Sequence, residues 1–183
     1  IDLLVSQIER CSEILKKLTL NPTIEDDFID GDLTMADYVG EIVKSFQQTS
    51  KKEFIVNYDQ NSNSPNITKS IEIVYGLRNF IGNANKFSAC KIFINIKSDS
   101  DSTQIIFEDD GEGYQKDVLS KIGEPYIKSV KSSIKSKSGL SLGIFIGKTL
   151  LEKNYANILC KNSQTRSGAE VSIKWKNEDL FKL

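Results

Sequence analysis

Leu77-Arg78-Asn79-Phe80-Ile81-Gly82-Asn83-Ala84-Asn85-Lys86-Phe87 sets two faces on one helix. Asn79, Asn83 and Lys86 are separated by four and three residues and share one side. Leu77, Phe80, Ile81 and Ala84 take the other, apolar side. Two carboxamides and an amine beside an apolar stripe suit an oxygen-rich ligand: amide oxygens for a hard cation, the amine for phosphate. Any exposed polar helix face shows the same spacing, so this stretch does not decide alone. Its apolar pattern begins upstream, through Ile71, Val74 and Tyr75, and predicts a helix over 67–87.

Two further stretches follow. Asp109-Asp110-Gly111-Glu112-Gly113 comes directly after the β-rich run Thr103–Glu108. Glycines there permit positive φ and a close approach of backbone to a ligand, and an aspartate fixed at a strand end can accept from an amino group. Gly139-Leu140-Ser141-Leu142-Gly143 opens an apolar helix predicted over 141–153. A glycine-rich helix start presents unpaired N–H groups and the positive end of the dipole, which suits phosphate. Between these two, residues 126–138 turn basic and serine-rich, with Lys128, Lys131, Lys135 and Lys137. They read either as a cationic lid or as a solvated loop.

Around this centre the pattern is mixed. Residues 1–20 carry a heptad seam at Ile1, Leu4, Ile8, Cys11, Leu15 and Leu18, which needs partner helices or a packing face on this chain's own domain. Asn21-Pro22 ends that helix, and an acidic linker runs to residue 33. Thr34 is set as an N-cap, with Asp37 three residues on, for a helix to Gln47. Strands are expected at 53–58, 91–97, 103–108, 156–161 and 171–175, with a short helix at 115–122. The class is α+β: a mixed sheet covered on one face by helices, preceded by a bundle helix.

In order and spacing, the three stretches resemble the N, G1 and G2 boxes of the ATP-binding domain of sensor histidine kinases, within the gyrase, chaperone, histidine kinase and MutL (GHKL, Bergerat-fold) superfamily. Residues 167–175 resemble its last strand. The resemblance implies ATP and Mg²⁺ as ligands. It assigns Asn83 to Mg²⁺ with Asn79 assisting, Lys86 to phosphate, Phe87 to the adenine face and Asp109 to the adenine amino group. Gly111 and Gly113 would shape the pocket, and Gly139 and Gly143 would flank the phosphates. The implied contact set also takes in Tyr114, Lys128, Leu140, Ser141 and Leu142. Ser141 departs from the glycine usual there, which puts its hinge role in doubt where positive φ is required. Hydrolysing members and serine kinases of the superfamily place Glu where this chain has Asn79. An amide is no general base, so Asn79 favours a histidine kinase.

The same resemblance makes residues 1–20 the second helix of a dimerisation bundle, 21–33 a linker and 34–183 the catalytic domain. It implies a homodimer and a response regulator as partner. It also implies a cytoplasmic domain of an inner-membrane kinase, with no membrane contact by these residues. The alternative is a regulatory module of the same fold whose associations are gated by nucleotide, like an anti-sigma factor or a pseudokinase. Residues 9–15, 123–126 and 140–151 further resemble the redox-responsive RegB/PrrB group, which would make Cys11 a redox cysteine. Packing as a small apolar filler accounts for Cys11 equally well.

Composition narrows the chemistry. The 183 residues contain no histidine, which removes Ser-His-Asp catalysis and histidine metal sites and places any phosphoacceptor histidine on another segment. Lys+Arg 24 against Asp+Glu 25 argues against a nucleic-acid binder. Cys11, Cys90 and Cys160 are too few and too scattered for a disulfide framework, and a reducing compartment is expected. No apolar run reaches the roughly 18 residues of a membrane span. The start at Ile1, without Met, reads as a piece of a longer protein.

Overall fold

The computed structural model describes residues 33–59, 65–67, 70–124 and 142–181. The expected bundle helix with Cys11, the linker up to residue 32, the 126–138 stretch with Lys128, and Gly139, Leu140 and Ser141 lie outside the described residues.

Chain order is β1 (Leu33–Thr34), α1 (Met35–Gln47), β2 (Glu53–Tyr58), β3 (Asn66–Ile67), α2 (Ile71–Phe87), β4 (Lys91–Ser98) and β5 (Ser102–Asp109). Then come α3 (Lys116–Leu119), α4 (Leu142–Lys153), β6 (Asn157–Asn162), β7 (Ala169–Lys176) and α5 (Asn177–Leu180). The expected capping box starts α1: Thr34 Oγ1 accepts from the Asp37 N–H at 3.2 Å, and the Asp37 carboxylate accepts from the Thr34 N–H at 2.9 Å.

Five strands form one mixed sheet in the order β2-β4-β5-β7-β6. β2 runs parallel to β4 and every other pairing is antiparallel. Register places Ile94 opposite Phe107, Phe107 opposite Val171 and Ile105 opposite Ile173. Side chains alternate across a pleated strand, so these residues with Ile92, Ile96 and Trp175 share one buried face. Leu77, Phe80 and Ile81 of α2, Val39 and Ile42 of α1 and Leu151 of α4 belong to the same core. Asn95, Gln104 and Ser172 line the other face and are partly exposed. One covered face is the architecture the sequence implies.

Apart from shifts of one or two residues at other element ends, three helices, α2, α3 and α5, differ from expectation. α2 begins at Ile71 because Ile67 pairs with Leu33 in a two-residue ladder and Ser70 is the N-cap, accepting from the Ile73 N–H at 3.4 Å. Leu33, read from sequence as the end of a linker, is thus paired to this domain. α3 covers one turn, 116–119, and the chain then turns through Gly123, whose φ is +93°. α5 was not expected. Its Asn177 accepts from the Thr103 hydroxyl at 2.8 Å and donates to the Asp99 carbonyl at 2.8 Å, which pins the end of the described chain to the β4–β5 turn.

Candidate functional site

Asp109 ends β5 and is 3% exposed. Its Oδ1 accepts from the N–H groups of Gly111 at 2.9 Å and Ala169 at 3.3 Å. Both bonds go to one oxygen, which leaves Oδ2 to accept from a ligand. Burial raises the carboxyl above its ordinary range, the two N–H donors pull it back in part, and neighbouring Asp110 adds to the rise. Two glycines make room for this arrangement. A Cβ on Gly168 would lie 2.1 Å from the Asp109 carbonyl and 2.2 Å from Oδ1, and one on Gly111 would lie 2.3 Å from the Phe87 carbonyl. The loop of β5 is therefore seated on the C-terminal end of α2.

α2 carries the polar face. Asn79 and Asn83 are half-buried, whereas Lys86 and Phe87 are exposed. The Asn79 amide donates to the Tyr75 carbonyl at 2.8 Å, so the helix itself holds the nitrogen and fixes which way Oδ1 points. Oδ1 faces the start of α4, where a Cβ on Gly143 would lie 3.4 Å away. Contact between the two helices continues through glycines. A Cβ on Gly147 would meet Asn79 Cβ, the Gly76 carbonyl and Phe80 at 3.1 Å, and one on Gly76 would meet Leu151 at 2.5 Å. The Lys86 ammonium lies 5.1 Å from the centre of the Phe87 ring.

The loop after Asp109 is held from the other side. Gly113 has φ +72°, in the left-handed region that favours glycine. Asn162 at the end of β6 accepts from the Tyr114 N–H at 2.6 Å and returns a bond to its carbonyl at 2.9 Å. The Tyr114 ring packs against the core, and its buried hydroxyl points to the Cys160 thiol. Burial raises the Tyr114 phenol and pushes the Cys160 thiol up to about 11. Sequence names Tyr114 but not this inward direction. Beyond α3, Gly123 rests on the Lys148 side chain of α4, where a Cβ would lie 2.6 Å from Cδ.

Of the residues named from sequence, Asn79 and Gly143 come together, as do Phe87, Gly111 and Asp109. Leu142 joins them as the first residue of α4. Asp110, Asn162, Gly147 and Gly168 belong to the same construction, and the sequence alone gives them no role. No group of three or more His, Cys, Asp or Glu side chains able to hold a metal occurs among the described residues. A hard cation here would rest on amide oxygens and on ligand phosphates, a donor set that suits Mg²⁺.

The sequence profile of histidine kinase-, DNA gyrase B-, and HSP90-like ATPases (HATPase_c) matches residues 68–179. The chain is 28% identical over 198 aligned positions to the sensor histidine kinase RegB of Cereibacter sphaeroides, covering 98% of this chain and 42% of that protein. It thus spans about two fifths of the length of the curated relatives it matches. Among solved structures, it is similar to the mycobacterial sensor histidine kinase MprB, with TM-score 0.64, 17% identity and coverage of 80% of this chain and 97% of that one. It is also similar to full-length ShkA in complex with AMPPNP, with TM-score 0.62, 18% identity and coverage of 79% and 30%. At these identities the structural likeness establishes the fold.

Proposed function

The chain belongs to the family of histidine kinase-, DNA gyrase B- and HSP90-like ATPases, and from that premise we propose that residues 34–183 are the ATP-binding catalytic domain of a two-component sensor histidine kinase. ATP gives its γ-phosphoryl group to a histidine carried on a segment outside this chain, and a response-regulator aspartate receives it next. The observation that carries this reading is that one helix serves both ends of a long ligand. At its C-terminus α2 meets the loop of the buried Asp109, and about 12 Å earlier along its axis Asn79 meets the start of α4. That span suits a nucleoside triphosphate better than a small anion.

In this reading Asp109 Oδ2 accepts from the adenine amino group and Phe87 lies against the base. Lys86 and the N–H groups opening α4 face phosphate. Asn83 and Asn79 present oxygens to Mg²⁺, which neutralises phosphate charge when bound. Asn79 cannot take a proton from water, so the site positions a donor rather than activating a hydrolytic nucleophile. The chain's complete lack of histidine fits a donor domain whose acceptor lies elsewhere. Residues 1–20 would then be a dimerisation helix and the intact protein a homodimer. A cytoplasmic position beneath an inner-membrane sensor, and a redox role for Cys11, belong to the same proposal through the likeness to RegB.

Calorimetric titration with a non-hydrolysable ATP analogue, with and without Mg²⁺, tests the reading. Binding is expected to be Mg²⁺-dependent and to lose that dependence in Asn83→Ala, with thermal stability changed by no more than about 1 kcal/mol, as for a residue facing ligand rather than core. Equal affinity in the parent and in Asn83→Ala would sink the site assignment.

A further inference from the structure

Between α2 and β4 the chain turns through Ser88, Ala89 and Cys90, and two side chains of opposite charge grip that turn. Lys52, just before β2, donates to the carbonyl of Ser88 at 2.6 Å and to that of Ala89. Asp110, just after β5, accepts from the Ala89 N–H at 2.8 Å and from the Cys90 N–H at 2.9 Å and 3.1 Å through its two oxygens. The remaining groups are also engaged: the Ser88 N–H with Ala84 at 2.8 Å, and the Cys90 carbonyl with the Glu53 N–H at 2.9 Å. Every backbone N–H and carbonyl of the three residues is thus bonded.

This turn separates the two halves of the base end of the site. Phe87, with Lys86 before it, immediately precedes the turn. Gly111, pressed against the Phe87 carbonyl, follows Asp110, and Asp109 precedes it. A charged brace of partly exposed groups contributes little to overall stability. It does fix a short loop in one place, and a ligand read from both sides of that loop depends on the spacing.

We propose that Asp110 and Lys52 are positioning residues for the nucleotide: by clamping the Ser88–Cys90 turn they set the gap between Phe87 and Lys86 on α2 and Asp109 on β5. The proposal rests on the nucleotide-binding reading above and adds residues that touch no ligand. Because the clamp acts on the base end, its loss weakens ADP and ATP alike.

The experiment titrates the chain and its Asp110→Ala, Asp110→Asn and Lys52→Ala variants with ADP and with a non-hydrolysable ATP analogue. Circular dichroism melts are recorded alongside. Asp110→Ala is expected to weaken both nucleotides by the same factor, about tenfold, the scale of one lost charge-assisted hydrogen bond. Lys52→Ala moves both in the same direction. Asp110→Asn keeps an acceptor oxygen and recovers most of the loss, and it decides the matter where the alanine variant does not fold. With a histidine-bearing bundle as acceptor, KM for ATP rises while kcat holds. Folded variants with parental affinity, or a loss seen only in kcat, overturn the proposal. Failure of the unaltered chain to bind either nucleotide overturns the nucleotide-binding reading itself, and the clamp with it.

Discussion

Asp109 and Asp110 are neighbours whose surroundings push their carboxyls in opposite directions. Burial dominates at Asp109 and raises it; at Asp110 burial opposes, but the N–H donors of Cys90, Lys91 and Ala89 together hold it down. Folded Asp109 therefore keeps its proton to higher pH than the unfolded chain does, so raising the pH through that window costs stability. Asp110 has the other sign: it adds stability above the ordinary carboxylate range, lost as pH falls through its lowered value. Asp109→Asn keeps an oxygen for Gly111 and Ala169 while removing the buried charge. Its melting temperature at neutral pH is expected to match or exceed the parent's while ATP affinity falls; a lower melting temperature with affinity intact would contradict the assignment. In the parent, ATP affinity should drop on acidification at a higher pH than an ordinary aspartate would give, as Oδ2 gains a proton and stops accepting. Cysteine chemistry divides just as sharply. Cys90 is exposed, while burial and Glu152 push Cys160 up to about 11 against the pull of Lys148. Site-resolved mass spectrometry after iodoacetamide at pH 8 should find Cys90 alkylated well before Cys160.

Helix α2 owes its place beside α4 to glycines at the contact. Replacing glycine by alanine inside an exposed helix gains roughly 1 kcal/mol. At Gly76 the added methyl would lie 2.5 Å from the fully buried Leu151, so the sign reverses. Gly76→Ala is expected to destabilise by about 1–3 kcal/mol, the range for overpacking, measured as a shift in urea midpoint at constant m. Stabilisation instead would mean that the two helices are not in close contact. The main elements are legible in sequence because each carries its own period: Ile92, Ile94 and Ile96 alternate, and Leu77, Phe80, Ile81 and Ala84 recur at helical spacing. The β1–β3 ladder is not, since two-residue strands have no period. α3 shrank because nothing local shows that Gly123 takes positive φ. Site legibility followed the same division. Asn79, Asp109 and Gly143 stand in stretches whose residue types suggest the chemistry proposed for them. The Asp110 clamp joins residues that are twenty and twenty-one positions apart, and only the fold brings them together.

At the scale of the whole chain, the histidine kinase proposal turns on one count, the absence of histidine. Phosphoryl transfer to histidine needs an imidazole, and none of the 183 residues supplies one. A donor domain can bind and orient ATP yet have nowhere of its own to send the phosphoryl group. Incubated with ATP labelled at the γ-phosphate, this chain should therefore give no acid-labile phosphoprotein, however tightly it binds. Adding a separate protein that carries the histidine-bearing bundle but no working ATP site should produce labelling on that partner. Loss of the label in acid and its survival in base would identify a phosphorus–nitrogen bond. The rate should fall in Asp109→Asn in proportion to lost ATP affinity at subsaturating ATP, and recover at saturation, because the role proposed for Asp109 is on the base and not on the transferred group. Two other results would each point elsewhere. Acid-stable label on the chain itself would identify a hydroxyl acceptor and move the protein toward the serine kinases of the family. Sustained phosphate release without any labelled protein would indicate an ATPase, and would require a general base that Asn79 cannot be.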